Sequence, residues 1–522
     1  MKTRSLFFLF FVFLQFSSST LSAQEKVTPE MINNTRALRA LMHSDPHRPS
    51  WHFVSPENEA MPFDPNGGIF WNGKYHLGYI YQNLENGKRQ HYWGHAVTTD
   101  LFHWTLYPDM IKGDNEIGIF SGGAFLSKEG VPHIMYHGWG SSSNLMVYST
   151  DEDLKTWKKF EGNPILKTPV EGEPMYEKYK AFDPDGWYDK EADAYYQLSA
   201  GNPAGLFKSK DMLKWDYLGD FINQDNRMRH EFEDLSCPDF YKIGDKYMLT
   251  FISHSLGAQY YIGDFKNDKF TVEKHGRMNW PGGTLFAPEE MKDDKGRHIM
   301  WSWVIHRTPK HLEYKGWHGT MSMPRVLSLS KQGELLIAPP VEVEKLRLEG
   351  ISSKNISLAS NQEKTLAIKG KALEIKAEFK GAQNSEYGVK VFCSPDGKEE
   401  TIIKYDPINK EIVIDFIHSS KNAPVKMGSV IMGQASDLAQ LGFRAKVSEQ
   451  RAPFELKKGE TLQLNIFIDK AIIEVFANGR QCITQVVYPE MENSNEVKNF
   501  SGDEKIKVKS VEVWKMATTN SY

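Results

Sequence analysis

Cysteine is scarce in this chain, and its scarcity excludes two kinds of scaffold. Only three cysteines, Cys237, Cys393 and Cys482, occur among 522 residues. They are odd in number and far apart, so they predict neither a disulfide framework nor a metal-ligand cluster. We expect each to be a small, buried, apolar residue, and we predict no metal site.

An excess of charge of either sign is also missing. The chain carries 63 Lys and Arg against 67 Asp and Glu, a formal net charge of −4. A near-neutral surface gives no electrostatic reason to expect binding to nucleic acid or to an anionic membrane.

Long apolar runs are absent except near the N-terminus. Lys2 and Arg4 precede an apolar run over residues 6–16, and Leu21-Ser22-Ala23 follows it. This order is typical of a secretory signal peptide over residues 1–23, and the run is too short to span a bilayer. No later stretch resembles a membrane span. We expect an exported protein, periplasmic or extracellular, because the signal fits both destinations.

The rest of the chain predicts an all-β fold after one helical segment. Residues 24–49 include a helical pattern over 29–42. From residue 50 onward, short aromatic and β-branched runs alternate with Gly, Pro, Asn and Asp, which is typical of strands and turns. A chain of this length favours two or three domains.

A degenerate repeat sets the expected architecture. Asp100-x-x-x-Trp104, Asp153-x-x-x-Trp157 and Asp211-x-x-x-Trp215 follow one another at spacings of 53 and 58 residues. Repeats of about this length with several strands each indicate a β-propeller. We predict a five-bladed propeller over residues 50–340, with the last two blades inferred from length. Cleanly alternating strands after residue 351 predict a C-terminal β-sandwich over 351–522.

Three acidic motifs stand where blades begin. Asp64 lies in a Pro/Asn/Gly turn, Asp183 precedes a second proline, and Glu233 and Asp234 precede Cys237. Equivalent positions in successive blades converge on the axis of a propeller, so these carboxylates would line one funnel. Such a cluster suits hydrolysis of a glycosidic bond, in which one carboxylate attacks and another group donates a proton. Alternatively, they are solvated acids in blade-start turns.

These residues resemble glycoside hydrolase family 32, the β-fructosidases that include invertases, levanases and inulinases. The matching segments, in family order, are Asp64-Pro65-Asn66-Gly67, Trp93-Gly94-His95-Ala96, Phe120-Ser121-Gly122-Gly123-Ala124, Asp183-Pro184, Cys237-Pro238-Asp239, Gly319-Thr320-Met321-Ser322-Met323-Pro324-Arg325 and Ile473-Glu474-Val475-Phe476-Ala477-Asn478-Gly479. The resemblance implies that Asp64 is the nucleophile and that Asp183 stabilises the transition state.

The chain departs from the family pattern at four positions. Phe63 stands for Asn, Phe182 for Arg, Ile80 for Gln and Ser236 for the acid/base Glu. A serine cannot act as a general acid near neutral pH, so a nearby carboxylate must replace it. In a regular strand, Asp234 shares the face of Ser236, whereas a bulge would bring Glu233 there. We favour Glu233 for its reach, with Asp234 second.

The expected function is that of an exported retaining glycosidase acting on β-linked fructosyl units, without a cofactor. The partner is an oligo- or polysaccharide, expected to be a fructan. Its predicted contacts are Asn66, Gln82, Trp93, Phe120, Ser121 and Asp234, although Trp93 and Phe120 fit ordinary blade core equally well. Two alternatives remain: a different furanosidase or anhydrosugar hydrolase on the same scaffold, and a carbohydrate-binding protein that has lost catalysis through Ser236.

Overall fold

The protein is described by a computed structural model that covers residues 28–55, 63–85, 88–113, 116, 118–201, 203–222, 229–230, 233–312, 317, 319–432 and 444–520. The expected signal peptide over 1–23 lies outside the described residues. The first element is the helix α1, Pro29–His43, which agrees with the sequence pattern. The Thr28 hydroxyl caps it by accepting from the Met31 amide. In the described part of the chain, no helix is long and apolar enough to cross a membrane.

Five antiparallel sheets follow α1, each built from consecutive strands. The first has β1 (Pro65–Trp71), β2 (Lys74–Glu85), β3 (Lys88–Thr98) and β4 (Thr105–Ile111). The second has β5 (Gly118–Ile119), β6 (Ala124–Leu126), β7 (Pro132–Trp139), β8 (Ser143–Tyr148), β9 (Lys158–Lys159) and β10 (Leu166–Lys167). The third has β11 (Pro184–Asp189), β12 (Ala194–Ser199), β13 (Gly205–Ser209) and β14 (Asp216–Asp220).

The fourth sheet has β15 (Ser236–Ile243), β16 (Lys246–Ser253), β17 (Gly257–Lys266) and β18 (Lys269–Arg277). The fifth has β19 (Leu285–Lys292), β20 (His298–Val304), β21 (Thr320–Met321), β22 (Arg325–Leu329) and β23 (Leu335–Ala338). Strand β1 contacts β6 on one side and β19 on the other, so the first and fifth sheets are neighbours and the propeller closes.

The repeat found in the sequence is the turn that leads into the outer strand of a blade. In the first and third copies, Asp100 and Asp211 accept hydrogen bonds from the amides two and three positions later. The residue after each aspartate, Leu101 or Met212, has a positive φ. An aspartate side chain that binds following amides stabilises such turns, which explains the recurrence of Asp.

Side chains near the propeller axis bind the backbone of the next blade. Asn66 accepts from the Gly122 amide, Asp185 from the Phe240 amide, Asp239 from the Glu290 amide, and Glu289 from the Gly68 amide, at 2.6–3.0 Å. These bonds satisfy amides that lie between sheets and have no ladder partner. The inner strands are therefore held in a fixed ring, which positions the residues at their starts.

Two six-stranded sheets form the C-terminal half and enclose a buried aliphatic core. In spatial order, one has β24 (Arg347–Leu358), β37 (Ile506–Met516), β26 (Ala372–Lys380), β33 (Leu462–Asp469), β34 (Ile472–Ala477) and β35 (Gln481–Val486). The other has β25 (Glu363–Lys369), β36 (Glu496–Ser501), β27 (Tyr387–Cys393), β28 (Thr401–Asp406), β29 (Glu411–Asp415) and β32 (Glu449–Pro453). A short pair joins β30 (Met427–Gly428) to β31 (Lys446–Val447), and a 3₁₀ helix, Val341–Leu346, precedes β24.

A buried polar network joins the two halves of the molecule. Glu474 of the sandwich accepts from the Arg325 guanidinium and from the Met323 amide, each at 2.7 Å, and lies 3.3 Å from His52 Nε2. The side chains of Arg325, Glu474 and His52 are fully buried. Two of the sequence motifs, at 319–325 and 473–479, thus meet at the domain interface rather than at the carboxylate cluster.

Candidate active site

Asp64 stands at the entrance of the first inner strand, and its turn requires glycine. Gly67 has φ +57°, and a Cβ there would lie 2.9 Å from the Trp93 ring. The pairing of β1 with β2 is irregular between Asn66 and Ile69. The Asn66 amide group donates to the Asp64 carbonyl at 2.8 Å and fixes the backbone before the strand. The turn therefore holds the Asp64 carboxylate in one place.

The Asp64 carboxylate is buried and incompletely paired. Its Oδ2 lies 3.3 Å from the Ser121 hydroxyl and 3.7 Å from Cys237 Sγ. Its Oδ1 has no hydrogen-bond partner among the described residues. Burial, followed by the negative charge of Asp183, raises the pKa of Asp64 to about 7. Oδ1 is therefore a buried acceptor whose hydrogen-bonding capacity the described residues leave unused.

Asp183 joins Asp64 through the backbone and thiol of Cys237. Asp183 Oδ2 accepts from the Cys237 amide at 3.0 Å, and its Oδ1 lies 3.5 Å from His137 Nδ1. Cys237 has φ +47°, and the register of β15 against β16 shifts between Ser236 and Asp239. This bulge directs the Cys237 amide at one aspartate and its thiol at the other. The structure thus brings Asp64 and Asp183 into one cluster.

Glu233, our preferred proton donor, lies in a different environment. Its side chain is fully buried and is held by both guanidinium nitrogens of Arg277, at 2.8 and 2.7 Å. Ser253 and Gln259 also donate to it, and the His230 amide completes the set. Burial opposes ionisation, but these donors together lower the pKa of Glu233. A carboxylate that is enclosed and held by an ion pair and several further donors is a structural anchor, so this placement does not support Glu233 as the acid.

Asp234 points to the opposite side and is partly accessible. Its Oδ2 accepts from the Ser236 hydroxyl at 2.8 Å and lies 2.6 Å from His254 Nδ1. Its Oδ1 accepts from the His254 amide at 2.9 Å. Asp234 and not Glu233 therefore lies beside Ser236, the side that regular strand alternation predicted for it. Burial opposes ionisation, yet the His254 contacts lower the pKa of Asp234.

The predicted substrate contacts fall into two groups. Ser121 lies beside Asp64, and Phe120 is half-buried, with its ring 4.8 Å from His91 and 5.7 Å from Trp139. Gln82 lies 3.3 Å from His91 Nε2 and so supports the His91 ring, against which Phe120 packs.

Trp93 and Asn66 belong to the second group, because their side chains are committed to the protein. Trp93 is 0% exposed and packs against Ile134 and Tyr136 in the blade core, which does not fit a sugar-stacking role. Asn66 uses its amide group for the backbone bonds to Asp64 and Gly122. We therefore interpret both as residues that support the cluster.

Both halves of the chain match family models. Residues 52–340 match the N-terminal domain of the glycosyl hydrolases family 32, and residues 342–515 match the family's C-terminal domain. The chain belongs to glycosyl hydrolase family 32. Among the described residues, no group of three or more His, Cys, Asp or Glu side chains is arranged to hold a metal ion.

Family 32 relatives resemble this chain along most of its length. A levanase of Bacillus subtilis is 27% identical over 510 residues, covering 90% of this chain and 70% of that protein. A fructan 6-exohydrolase of Beta vulgaris is 26% identical, covering 90% and 87%. The crystal structure of fructan 1-exohydrolase IIa from Cichorium intybus superposes with a TM-score of 0.75 at 22% identity, covering 91% and 98%. That likeness confirms the propeller-and-sandwich fold.

Sequence reasoning missed the roles of three residues of this family 32 chain. They are Cys237, which links the two aspartates, His254, which binds Asp234, and Trp139, which is 49% exposed beside Phe120. A hairpin register would have indicated His254. Strands β15 and β16 pair Ser236 with Ile252, so position 254 lies opposite position 234. The positive φ of Cys237 has no sequence signal, since cysteine rarely adopts it.

Proposed function

We propose that this protein is an exported retaining glycoside hydrolase that cleaves β-fructofuranosyl linkages. The observation that supports this most is the cluster of Asp64 and Asp183 joined by Cys237. Asp64 is the nucleophile, because its Oδ1 lacks a donor and its position is fixed by a rigid turn. Asp183 binds ring hydroxyls and stabilises the positive charge that develops at the anomeric carbon.

The raised pKa of Asp64 agrees with a nucleophile that works in a desolvated site. The nucleophile must be ionised to attack, so activity should rise with pH as Asp64 loses its proton, near pH 7 in the free enzyme. Bound substrate hydroxyls that donate to Asp64 would favour its ionised form and extend activity to lower pH.

The choice of a fructosyl substrate is supported by the relatives. Besides the levanase and the fructan 6-exohydrolase, a sucrose-6-phosphate hydrolase of Escherichia coli is 25% identical over 85% of this chain. The wall of Phe120 and Trp139 offers an apolar face on which a sugar ring can stack.

A second candidate is a furanosidase or anhydrosugar hydrolase of other specificity. Phe182 favours it, because this apolar ring packs 4.8 Å from His137, directly beside Asp183, where the family pattern has an arginine. A site without that guanidinium presents fewer donors to the sugar.

Product analysis on sucrose, levan, inulin and arabinan tests both candidates. We expect release of fructose from at least one fructosyl substrate, and a transfer product of retained configuration when methanol is present. The D64N variant, with the same purity and melting profile, controls for contaminating activity and should be inactive. Absence of fructose release from sucrose and both fructans, with release of another sugar from arabinan, would favour the second candidate.

A further inference from the structure

Asp234 and His254 form a hydrogen-bonded pair at the position where the family pattern places its acid. Both the backbone amide and Nδ1 of His254 bind the Asp234 carboxylate, at 2.9 and 2.6 Å. Because the Asp234 carboxylate can only accept, His254 Nδ1 carries a proton and donates it to Asp234 in a hydrogen bond. Nε2, on the other side of the ring, points away from Asp234. No described residue is hydrogen-bonded to Nε2, and the side chain is 45% exposed.

The turn that carries His254 is held at two points. Ser253 donates to Glu233, whose carboxylate is fixed by Arg277. The Met432 amide of the C-terminal half donates to the His254 carbonyl at 2.9 Å. A side chain on a turn anchored in this way has the fixed orientation that proton transfer requires. Glu233 thus acts through the turn rather than on substrate.

Among the described residues, the charged groups that act on His254 include three aspartates. Asp234 is in direct contact, and Asp183 and Asp64 contribute at longer range. The hydrogen bond to Asp234 comes first among the causes that raise the pKa of His254, and it outweighs burial. Near neutral pH the imidazolium is therefore more populated than in a free histidine, whereas the Asp234 carboxylate, whose pKa is lowered, holds no proton there.

The geometry points to His254 as the acid/base of the glycosidic reaction, with Asp234 as the residue that positions it. This assignment rests on the proposed function. In the first step, the Asp64 carboxylate forms a bond to the anomeric carbon. The bond to the leaving oxygen breaks, and that oxygen takes the Nε2 proton, which leaves His254 neutral. In the second step, Nε2 removes a proton from water, the water oxygen displaces Asp64, and the imidazolium is restored.

The test compares two substrates that differ in their need for an acid. H254A and the conservative H254Q should lose about 10²–10⁴-fold in kcat/KM on the fructan or sucrose that the wild type cleaves. On p-nitrophenyl β-fructofuranoside, whose leaving group needs no proton, the loss in the first step should be under tenfold. Azide should then restore turnover and yield a fructosyl azide, because it replaces water without needing a base.

A matched control is available in the first blade. His103 is exposed and its Nδ1 lies 2.8 Å from Asp100, so it repeats the pairing away from the carboxylate cluster. H103A should leave both activities unchanged. D234N should lower kcat more than it raises KM, and it should move the basic limb of the pH profile to lower pH, because the imidazolium loses its ionic partner.

Two results would overturn the assignment. One is an equal loss of kcat/KM by the H254Q variant on both substrates, without rescue by azide, which would indicate a structural role. The other is azide rescue of D234A but not of H254A, which would make Asp234 itself the acid. Failure of the proposed function is distinguishable, since the wild type would then release no fructose from any substrate while imidazole titration by NMR would still report the Asp234 contact.

Discussion

Substitution of Asp64 by asparagine should make the folded protein more stable at alkaline pH. Asp64 is buried, its pKa is about 7 in the folded state against the usual 3.8, and its Oδ1 lacks a donor. That difference in pKa corresponds to roughly 4 kcal/mol of unfavourable interaction with the charge. Part of it will relax, so we expect D64N to gain about 2–4 kcal/mol above pH 7.

The pH dependence of this gain follows from the sign of the pKa shift. The folded state binds the proton of Asp64 more tightly than the unfolded chain does. The contribution of Asp64 to the free energy of unfolding is therefore fully present below pH 3.8. Its contribution is lost progressively as the pH rises from 3.8 to about 7. The difference between D64N and the wild type should therefore be near zero at pH 4 and greatest at pH 8.

Thermal unfolding at pH 4 and pH 8, at one scan rate, measures this difference. D64N should melt a few degrees above the wild type at pH 8 while its turnover is abolished. Asp469 supplies a control of opposite sign, because this buried carboxylate accepts from the amides of Ser50, Trp51 and His52. D469N should melt lower. The reasoning is refuted if D64N is no more stable than the wild type at pH 8.

Three further outcomes are expected. E233Q should lower the free energy of unfolding by about 2–4 kcal/mol because it leaves the largely buried Arg277 charge without its partner, and R277M in the same chain should restore part of it, as measured by melting. E474Q should destabilise by a similar amount, since Arg325 is fully buried at the domain interface, and partial proteolysis should detect the loosened interface. W139A should raise KM severalfold with kcat nearly unchanged if the exposed Trp139 ring stacks on the sugar, as we propose, without touching the reacting atoms; an unchanged KM would exclude that contact.

Much of the site could be predicted from short-range pattern. The Asp64 turn was readable because proline, asparagine and glycine restrict the backbone locally. The choice between Glu233 and Asp234 was not readable in the same way. Strand alternation favoured Asp234, whereas the longer side chain favoured Glu233. The residue that encloses the Glu233 carboxylate, Arg277, lies 44 residues away along the chain, so no local pattern indicates the ion pair.

The sequence by itself determined the all-β class, the turn that holds Asp64 and the order of the acidic motifs, because these depend on neighbours along the chain. Only the tertiary structure decided which groups meet. It placed Trp93 in the core, enclosed Glu233 and set His254 against Asp234. Those outcomes depend on the register between strands and on a bulge at Cys237, and register is fixed by the packing of the whole blade.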